Sequence, residues 1–397
     1  MNKPTPSFVR PFLYAYNRIQ ANESLRPIQY EDRAKALLVE RLGREGSLPV
    51  AAFSHGAVGI VADHTHYVEG FALMLHMRQG TAIALRPNTL GRTRIAYEAA
   101  PDIIDLSNEE DRRRAPILAA LLDRIIQREG GPSGLDVALV TALPAGLGIS
   151  YFASLTVALL SCCDTLLQSD GGDVAIRAHR LLQEALGVTI SRVFTSVAVL
   201  RGEAPFILVD ARNGDHIDVA FADTTRPGFA LFDASPRSMV DVKAMRTRSE
   251  LAISATQELA EKGFKGLTSL RNLEHRDLER ALELASRKYR PTIRHLVSSN
   301  RNVQKLVTAI RKADWQLFGA VLKISQASST NDWTTGKDVS DKALETAERM
   351  SIEGIYGMVQ TGECGMLLVA GRPYSLPAYL DTVRSGHDED DIHALII

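Results

Sequence analysis

The sequence has few cysteines and no excess charge of either sign. Only three cysteines occur among 397 residues, and two of them are adjacent, at Cys162 and Cys163. This count excludes a disulfide framework and a four-cysteine zinc site, and it predicts a reducing, cytoplasmic environment. The formal net charge is -1. Nucleic acid and anionic membranes bind strongly basic proteins, so we expect neither to be a partner.

Charged residues are also missing from one long stretch. No residue from Val137 to Cys163 is charged, and a stretch of this length could span a bilayer. Pro144, Gly146 and Gly148 interrupt it, because these residue types break a continuous helix. A buried strand, a glycine loop and a buried helix are therefore predicted instead of a membrane span.

The length favours more than one domain. A chain of 397 residues is too long for one compact core, and its apolar and charged shares of 45% and 23% are ordinary for a globular protein. An irregular leader is predicted for residues 1–24, an N-terminal domain for 25–215 and a C-terminal domain for 216–397. The leader has neither a long apolar core nor a small-residue cleavage site, so no signal peptide is predicted.

The apolar periodicity predicts a mixed α/β (α+β) fold. Strands are predicted at residues 51–63, 71–77, 81–87, 135–143, 229–234, 354–362 and 366–371, and a hairpin at 197–202 with 205–215. Helices are predicted at residues 30–44, 112–128, 174–187, 245–261, 277–288, 291–312 and 315–325, and directly after the glycine loop.

The glycine loop is the first candidate site. The sequence LPAGLGISYFASLTVALL follows a predicted strand and opens a predicted helix. Gly146 and Gly148 allow backbone N–H groups to approach a phosphate, whose charge a helix N-terminus favours. No Gly-Lys-Ser/Thr follows, so this is not a Walker loop. A tight turn into a buried helix is the alternative interpretation.

Further segments resemble a known family. GAVGIVADHTHYVEGFALMLHM resembles the galactokinase signature, and the glycine loop resembles the family motif Pro-x-Gly-x-Gly-Leu-Ser-Ser-Ser-Ala. The stretch RHLVSSNRNVQKLVTAIRKADWQLFGAVLKISQASSTNDW resembles the family's late helical region, and GIYGMVQTGECGMLLVAG its third motif. In this order, from about residue 30 to 380, the chain is similar to the galactokinase branch of the GHMP kinase superfamily.

The resemblance implies two α/β domains with an active cleft between them, in which ATP and Mg²⁺ serve to phosphorylate the anomeric hydroxyl of galactose. It assigns nucleotide binding to the loop, at Pro144, Gly146, Leu147, Gly148 and Ser150. It assigns substrate binding to Asp63, His64, His66, Tyr67 and Trp333. The expected ligand is a sugar or a polyol.

The positions for phosphate and metal depart from the family pattern. In the family, serines of the glycine loop and a glutamate on a later helix serve phosphate and Mg²⁺. Ser150 is kept, but the next two positions are Tyr151 and Phe152, and the glutamate position falls on Leu182. Phenylalanine and leucine cannot ligate Mg²⁺, which requires oxygen. ATP and Mg²⁺ are thus implied by the resemblance and opposed by these substitutions, and no other metal is assigned.

The catalytic positions depart as well. The family's catalytic aspartate falls on Phe194 or Thr195, neither of which is a general base at neutral pH. The signature arginine is replaced by Ala57. Arg192 lies in the segment that lost the aspartate and could supply a positive charge, or it could be a surface arginine. Candidate catalytic residues are therefore Asp63, His64, His66 and Arg192.

The sugar positions are changed too. The glutamate before the signature histidine is Asp63, the sugar-binding aspartate two residues after that histidine is His66, and the tyrosine of the late helical region is Trp333. Trp333 could stack on a sugar face or pack in the protein interior. Asp63, His64 and His66 could read hydroxyl groups or, with His55, form a transition-metal site, because a His-x-His pair on a strand places both imidazoles on one face.

Three functions remain open from the sequence. The first is a galactokinase-like protein that binds a sugar while phosphoryl transfer is impaired or lost. The second is a sugar or small-molecule kinase with altered machinery and substrate, in which the glycine loop still holds the triphosphate. The third is a different, possibly metal-assisted, enzyme in the same cleft. The sequence leaves the oligomeric state open.

Overall fold

The computed structural model describes residues 25–61, 65–129, 131–132, 134–202, 204–221, 226–233, 240–333, 340–362, 366–384 and 393–397. Its strands are β1 (Val50–Val61), β2 (Phe71–Pro87), β3 (Arg94–Tyr97), β4 (Ile103–Asp105), β5 (Leu135–Thr141), β6 (Phe206–Asp210), β7 (His216–Asp218), β8 (Gly228–Asp233), β9 (Ile355–Thr361), β10 (Met366–Gly371) and β11 (His393–Ile396). Its α-helices are α1 (Pro27–Leu42), α2 (Glu109–Arg114), α3 (Pro116–Glu129), α4 (Ile149–Leu167), α5 (Val174–Leu186), α6 (Val193–Ala198), α7 (Val242–Lys262), α8 (Leu278–Leu284), α9 (Arg290–Arg311), α10 (Trp315–Asn331), α11 (Ser340–Arg349) and α12 (Leu376–Arg384). Helices and strands alternate in the first half, which confirms the predicted α/β (α+β) class.

The chain forms two compact units that interleave along the sequence. Unit 1 comprises Met1–Ala57, Met77–Val188 and Phe194–Gly202. Unit 2 comprises Val58–His76, Thr189–Val193 and Glu203–Ile397. Strand β2 therefore contributes its first residues to unit 2 and the remainder to unit 1. The predicted domain boundary at residue 215 stays a prediction.

Unit 1 is built on a sheet whose central strand is β5. This strand pairs antiparallel with residues 81–87 of β2 and parallel with β3, which in turn pairs with β4. Helix α1 buries one residue per turn against this sheet, because Tyr30, Ala34, Leu38 and Leu42 recur at intervals of four. The facing strand residues are small, so the helix packs close to the sheet.

Helix α4 is the central helix of unit 1. It is buried over nearly its whole length, and in the part of the chain that the structure describes it is the one helix long and apolar enough to cross a membrane. Its 18-residue apolar window is 78% buried, which fits the core helix of a soluble protein. The prediction of a buried strand, a loop and a buried helix is therefore confirmed.

Unit 2 contains a four-stranded antiparallel sheet in the order β11-β8-β10-β9. Helix α10 lies unusually close to β9, and glycine is required on both sides of this contact. A Cβ atom at Gly319 would lie 2.1 Å from the carbonyl oxygen of Tyr356, and one at Gly357 would lie 2.5 Å from the carbonyl oxygen of Gly319. In the same unit, residues 71–75 of β2 pair with β6, which also pairs with β7.

Three local predictions are wrong. The predicted strands 71–77 and 81–87 form the single strand β2, because Gly80 lets the strand continue past the carbonyl oxygen of Ser54. The predicted helix 112–128 is divided, since Pro116 has no N–H to continue the preceding helix and starts α3 instead. The hairpin arm 197–202 is not a strand, because its first residues belong to α6, which is buried along its whole length.

A buried carboxylate joins three strands of unit 1. Asp136 on β5 is the direct cross-strand partner of Arg86 on β2 and of Arg94 on β3. Its carboxylate accepts hydrogen bonds from Arg86 Nη2 at 2.7 Å, Arg94 Nη2 at 2.8 Å and Asn88 Nδ2 at 2.9 Å. Arg86 also donates to the carbonyl oxygen of Gly43, directly after α1. Asp136 and Arg86 are only 1% and 2% exposed, so both depend on these partners.

We expect Asp136→Ala to destabilise the protein by about 3–5 kcal/mol, because it leaves two guanidinium groups near the core without their counter-charge. The shift of the urea unfolding midpoint measures this effect. The control is Glu109→Ala, which breaks an exposed ion pair with Arg113 and should change stability by less than about 1 kcal/mol. Equal effects of the two substitutions would contradict the role of Asp136.

Candidate functional site

The glycine loop connects β5 to α4 and contains four of the five predicted nucleotide-binding residues, and the fifth, Ser150, lies in the first turn of α4. Ala145–Leu147 form one 3₁₀ turn, and Gly148 then takes φ 60° and ψ -116°, a conformation that favours glycine. No described side chain caps α4 at Gly148. The first-turn N–H groups of α4 therefore lack carbonyl partners within the helix, and a helix end of this kind attracts an anion.

The side chains of the loop differ in their surroundings. Gly146 is partly exposed, whereas Leu147 is buried at 2% exposure and packs inward. Ser150, the serine retained from the family motif, is 3% exposed and its hydroxyl donates a hydrogen bond to the carbonyl oxygen of Ala57 on β1. The structure thus brings the predicted loop residues together, and it engages the hydroxyl of Ser150 with the protein backbone.

The two residues after Ser150 are part of the core. Tyr151 is fully buried, and its hydroxyl makes a hydrogen bond with that of Tyr97 on β3. Burial raises the pKa of both tyrosines well above the ordinary value, so both stay protonated. Phe152 is 2% exposed and packs edge-on to Tyr151 at a ring distance of 5.3 Å. Neither position offers an ionised oxygen to a cation.

The remaining changed positions of unit 1 are equally buried. Leu182 on α5 is 0% exposed, and Ala57 on β1 is 1% exposed. Phe194 and Thr195 on α6 are 3% and 1% exposed. Three of these four are apolar, and the fourth is neutral at any pH between 2 and 12, roughly. An Mg²⁺ ion does not fit these positions, because hard cations require several oxygen ligands.

The predicted ligand-binding residues of unit 2 are described only in part. Asp63 and His64 lie outside the described residues, as does the side chain of His66. Tyr67 is half-buried in the 3₁₀ turn Thr65–Val68, and its ring centre lies 6.1 Å from that of Trp333. The structure therefore brings Tyr67 and Trp333 together. Arg192, the other catalytic candidate, is partly buried directly before α6.

Trp333 is packed in the interior of unit 2. It is 5% exposed and stacks on the ring of His295 at a centroid distance of 4.8 Å and an interplanar angle of 16°. The guanidinium carbon of Arg248 lies 5.6 Å from the centre of the indole ring. The packed arrangement, one of the two that the sequence left open, is the one observed here.

His295 is a neutral histidine held between α9 and α10. It is 3% exposed, and its Nδ1 lies 3.0 Å from the hydroxyl oxygen of Ser328. Burial, with a smaller contribution from the positive charge of Arg248, lowers the pKa of His295 to about 3. The imidazole is therefore uncharged under physiological conditions, which suits its stacking on Trp333.

Sequence reasoning missed the residues that hold the turn before β2. Ser269 donates its hydroxyl to the carbonyl oxygen of Val68, and Asn300 Oδ1 accepts the N–H of Phe71 at 2.9 Å. Arg271 donates Nη1 to the carbonyl oxygen of Glu69 at 2.7 Å and also pairs with Asp210. These partners are separated by about 200 residues of sequence from the turn, so no local pattern could have indicated them.

The hypothetical histidine metal site receives no support from the described residues. His55 directs Nδ1 to the carbonyl oxygen of Met77 at 3.0 Å, and burial lowers the pKa of its imidazole. Within the described ranges, no group of three or more histidine, cysteine, aspartate or glutamate side chains could hold a metal ion. The other members of the hypothetical site, namely Asp63, His64 and the side chain of His66, lie outside the described part of the chain.

Comparison with known proteins finds similarity to galactokinases over most of the chain. The chain is 25% identical over 351 residues to the galactokinase of Canis lupus familiaris, covering 83% of this chain and 84% of that protein. It is 24% identical over 316 residues to the galactokinase of Roseiflexus sp., covering 77% and 79%. No family model matches the chain.

The fold matches solved structures of a galactokinase and of a mevalonate kinase. The galactokinase of Lactococcus lactis, solved in complex with galactose, superimposes with a TM-score of 0.75 at 17% identity and covers 92% of this chain and 97% of that one. A mevalonate kinase of Methanococcus jannaschii gives a TM-score of 0.58 at 11% identity, covering 89% and 98%. The predicted GHMP fold is confirmed by these matches.

The buried imidazole of His295 generates a pH prediction. The unfolded chain takes up a proton at this residue below about pH 6.5, whereas the folded chain does so only near pH 3. The stabilisation of the folded state by the neutral His295 is therefore complete above about pH 6.5 and is lost as the pH falls toward 3, by a total on the order of 5 kcal/mol.

His295→Gln keeps a polar group near Ser328 but removes the titrating imidazole. We expect the unfolding free energy of this variant to decrease less with falling pH than that of the parent protein. Urea unfolding at pH 7, 6, 5 and 4 measures the slope. His275→Gln is the matched control, because His275 is exposed on unit 2 and its replacement should leave the slope unchanged. A slope that is the same in all three proteins would contradict the assignment to His295.

Proposed function

We propose that the chain is a galactokinase-like member of the GHMP kinase superfamily, that it binds a sugar or a related polyol, and that its ATP-dependent phosphoryl transfer is impaired or lost. We also propose a cytoplasmic location, which the small number of cysteines supports.

One observation carries the proposal. The positions that correspond to the family's phosphate-facing arginine, its metal ligands and its catalytic base are occupied in unit 1 by side chains at most 3% exposed, namely Ala57, Phe152, Leu182, Phe194 and Thr195. Phosphoryl transfer depends on positioning and on charge stabilisation. A site lined by these groups supplies neither a proton acceptor nor a counter-charge. Loss of a general base alone typically lowers a rate by about 10²–10⁴.

Sugar binding does not require the lost groups. The signature histidine His64 is kept, Asp63 keeps a carboxylate and His66 keeps a hydrogen-bonding side chain. A carboxylate accepts hydrogen bonds from hydroxyl groups, and an imidazole both donates and accepts. These three residues are our candidates for reading the hydroxyl groups of the ligand, with Tyr67 beside them in sequence. The substitution at His66 favours a sugar or polyol other than galactose.

A second candidate function is a kinase with altered machinery, and one observation favours it. The glycine loop keeps Gly146 and Gly148, and α4 begins without a described side-chain cap. This arrangement fits the phosphates of a nucleotide better than it fits Mg²⁺. If this candidate is correct, Arg192 is the residue that we propose to supply the missing positive charge.

The decisive measurement is a thermal-shift titration with a panel of sugars and polyols, and with ATP in the presence and absence of Mg²⁺. A ligand that binds only the folded state raises the melting temperature. We expect a shift with at least one sugar or polyol, and galactose turnover at least about 100-fold below ordinary rates of roughly 1–10³ s⁻¹. A Mg²⁺-dependent ATP shift with ADP release at ordinary rates would establish the kinase instead.

The sugar that gives the largest shift then tests the role of His66. We expect His66→Ala to raise the dissociation constant for that sugar about tenfold or more, because a lost hydrogen bond to a bound ligand costs about 1–3 kcal/mol. His275→Ala, at an exposed histidine of unit 2, should leave the constant unchanged. If the two variants bind the sugar equally well, His66 is not a ligand-binding residue.

A further inference from the structure

The helical hairpin α9–α10 of unit 2 has an unusual charge distribution. Residues 290–331 contain seven lysines and arginines and a single acidic residue, Asp314. The carboxylate of Asp314 accepts the N–H of Leu317 at 2.9 Å and so caps α10. The hairpin is therefore basic within a chain whose formal net charge is -1.

Four of these cations lie on one face of α9 and of the helical residue that directly follows it, Lys312. Arg294, Arg301, Lys305 and Lys312 follow one another at intervals of seven, four and seven residues, which places them on one side of a helix. We call them the basic row. Arg294 pairs with Asp332 at 2.6 Å. The other three form no ion pair with a carboxylate among the residues that the structure describes, and Arg301 and Lys312 are exposed.

An apolar row runs along the exposed face of α10. Leu317, Ala320, Ile324 and Ala327 follow one another at intervals of three, four and three residues. Leu317 is 37% exposed and Ile324 is 52% exposed, and both alanines are exposed as well. An interval pattern of three and four is that of a seam at which one helix packs on another. The described part of unit 2 leaves this seam open to solvent.

The two rows lie on the same side of the hairpin. The helices run antiparallel, because Asn302 contacts Ser325 while the earlier His295 contacts the later Ser328. Arg301 precedes the contact residue Asn302 by one position, and Ile324 precedes the contact residue Ser325 by one. One residue corresponds to about 100° of rotation about the helix axis, so each row is displaced by about 100° from the residue that contacts the other helix. Both displacements are toward the preceding residue in the sequence. In antiparallel helices this equal rotation directs both rows to one side.

We propose that this side of the α9–α10 hairpin binds an acidic amphipathic helix of another protein. The apolar row receives the partner's apolar seam, with Ala320 and Ala327 leaving space for large side chains on either side of Ile324. The basic row flanks the seam and pairs with carboxylates beside the partner's seam. Such exposed pairs contribute little affinity each but select the partner by charge.

Two other occupants of this surface, a second copy of this chain and a bilayer, are disfavoured by the charges and side chains of the two rows. A second copy of this chain would bring two basic rows together across a symmetric contact, and the repulsion disfavours it. A bilayer surface is typically bound through an apolar face that includes aromatic and leucine side chains. The apolar row has no aromatic residue and half of it is alanine. An acidic helix fits both the spacing and the charge, and this inference does not depend on the proposed sugar binding.

The test uses the full chain and three synthetic helical peptides of about three heptads, with leucine and alanine at the seam. The first carries glutamates beside the seam, the second carries lysines there, and the third has the residues of the first in scrambled order. Fluorescence anisotropy measures binding at low and high salt. We expect binding of the glutamate peptide alone, weakened by salt.

Variants of exposed and half-exposed residues then locate the site. Ile324→Lys should weaken the glutamate peptide about tenfold or more, because it places a charge in the seam. Arg301→Glu with Lys305→Glu should lose the glutamate peptide and gain the lysine peptide. Ile352→Lys is the control, since Ile352 is 95% exposed on unit 2 but outside both rows, and it should leave binding unchanged. Circular dichroism melting verifies that each variant is folded.

Several outcomes would overturn the proposal. One is equal binding of the glutamate and scrambled peptides, or no binding up to about 1 mM, which corresponds to roughly 4 kcal/mol. A second is an Ile324→Lys variant that binds as the parent chain does. A third is sedimentation of the parent chain as a dimer that Ile324→Lys dissociates, which would make the occupant a second copy. The last is binding to phosphatidylserine vesicles in place of the peptide, which would make it a membrane.

Discussion

The arrangement of unit 1 depends on one buried carboxylate. Asp136 lies directly opposite Arg86 on one neighbouring strand and Arg94 on the other. A slip of either pairing by one residue would turn the carboxylate to the opposite face of the sheet and leave buried charges without partners. Because β5 ends five residues later and continues into the glycine loop, the ion pairs also determine where that loop begins.

The changed positions around the loop follow a common physical logic. Charged and metal-binding groups are costly to bury, so a site that transfers phosphate must keep them solvated or paired. Apolar side chains need neither solvent nor a charged partner. They therefore pack as ordinary core residues at Phe152, Leu182 and Phe194. Apolar side chains at these positions contribute to the stability of the core, because they are buried without any polar group that needs a partner.

The sequence predicted the elements next to the glycine loop correctly because their signals are local. A fully apolar strand, two glycines and an apolar helix are read from consecutive residues. The hairpin at 197–202 was wrong, because two valines in a short segment fit a strand and a helix equally well and only the burial of Val193 and Phe194 decides for α6.

The candidate site was harder to predict than the fold. The sequence identified the loop residues and the neighbours Tyr67 and Trp333, but it could not place the ring of His295 against Trp333. Those two residues are 38 positions apart, His295 on α9 and Trp333 just after the end of α10. The net charge of -1 likewise concealed the basic row, because a total over 397 residues says nothing about how charge is distributed on one helix.

The interleaving of the two units has a consequence for the order in which the chain can fold. Residues 71–75 belong to unit 2 and pair with Phe206–Asp210, more than 130 positions away. Unit 1 in turn needs the stretch Phe194–Gly202. A ribosome must therefore release about half of the chain before unit 1 has all its segments, and unit 2 still lacks strands β6 to β11 at that point. Contacts between such distant segments form slowly, so the nascent N-terminal half stays open to chaperones for longer than a half with its own complete core.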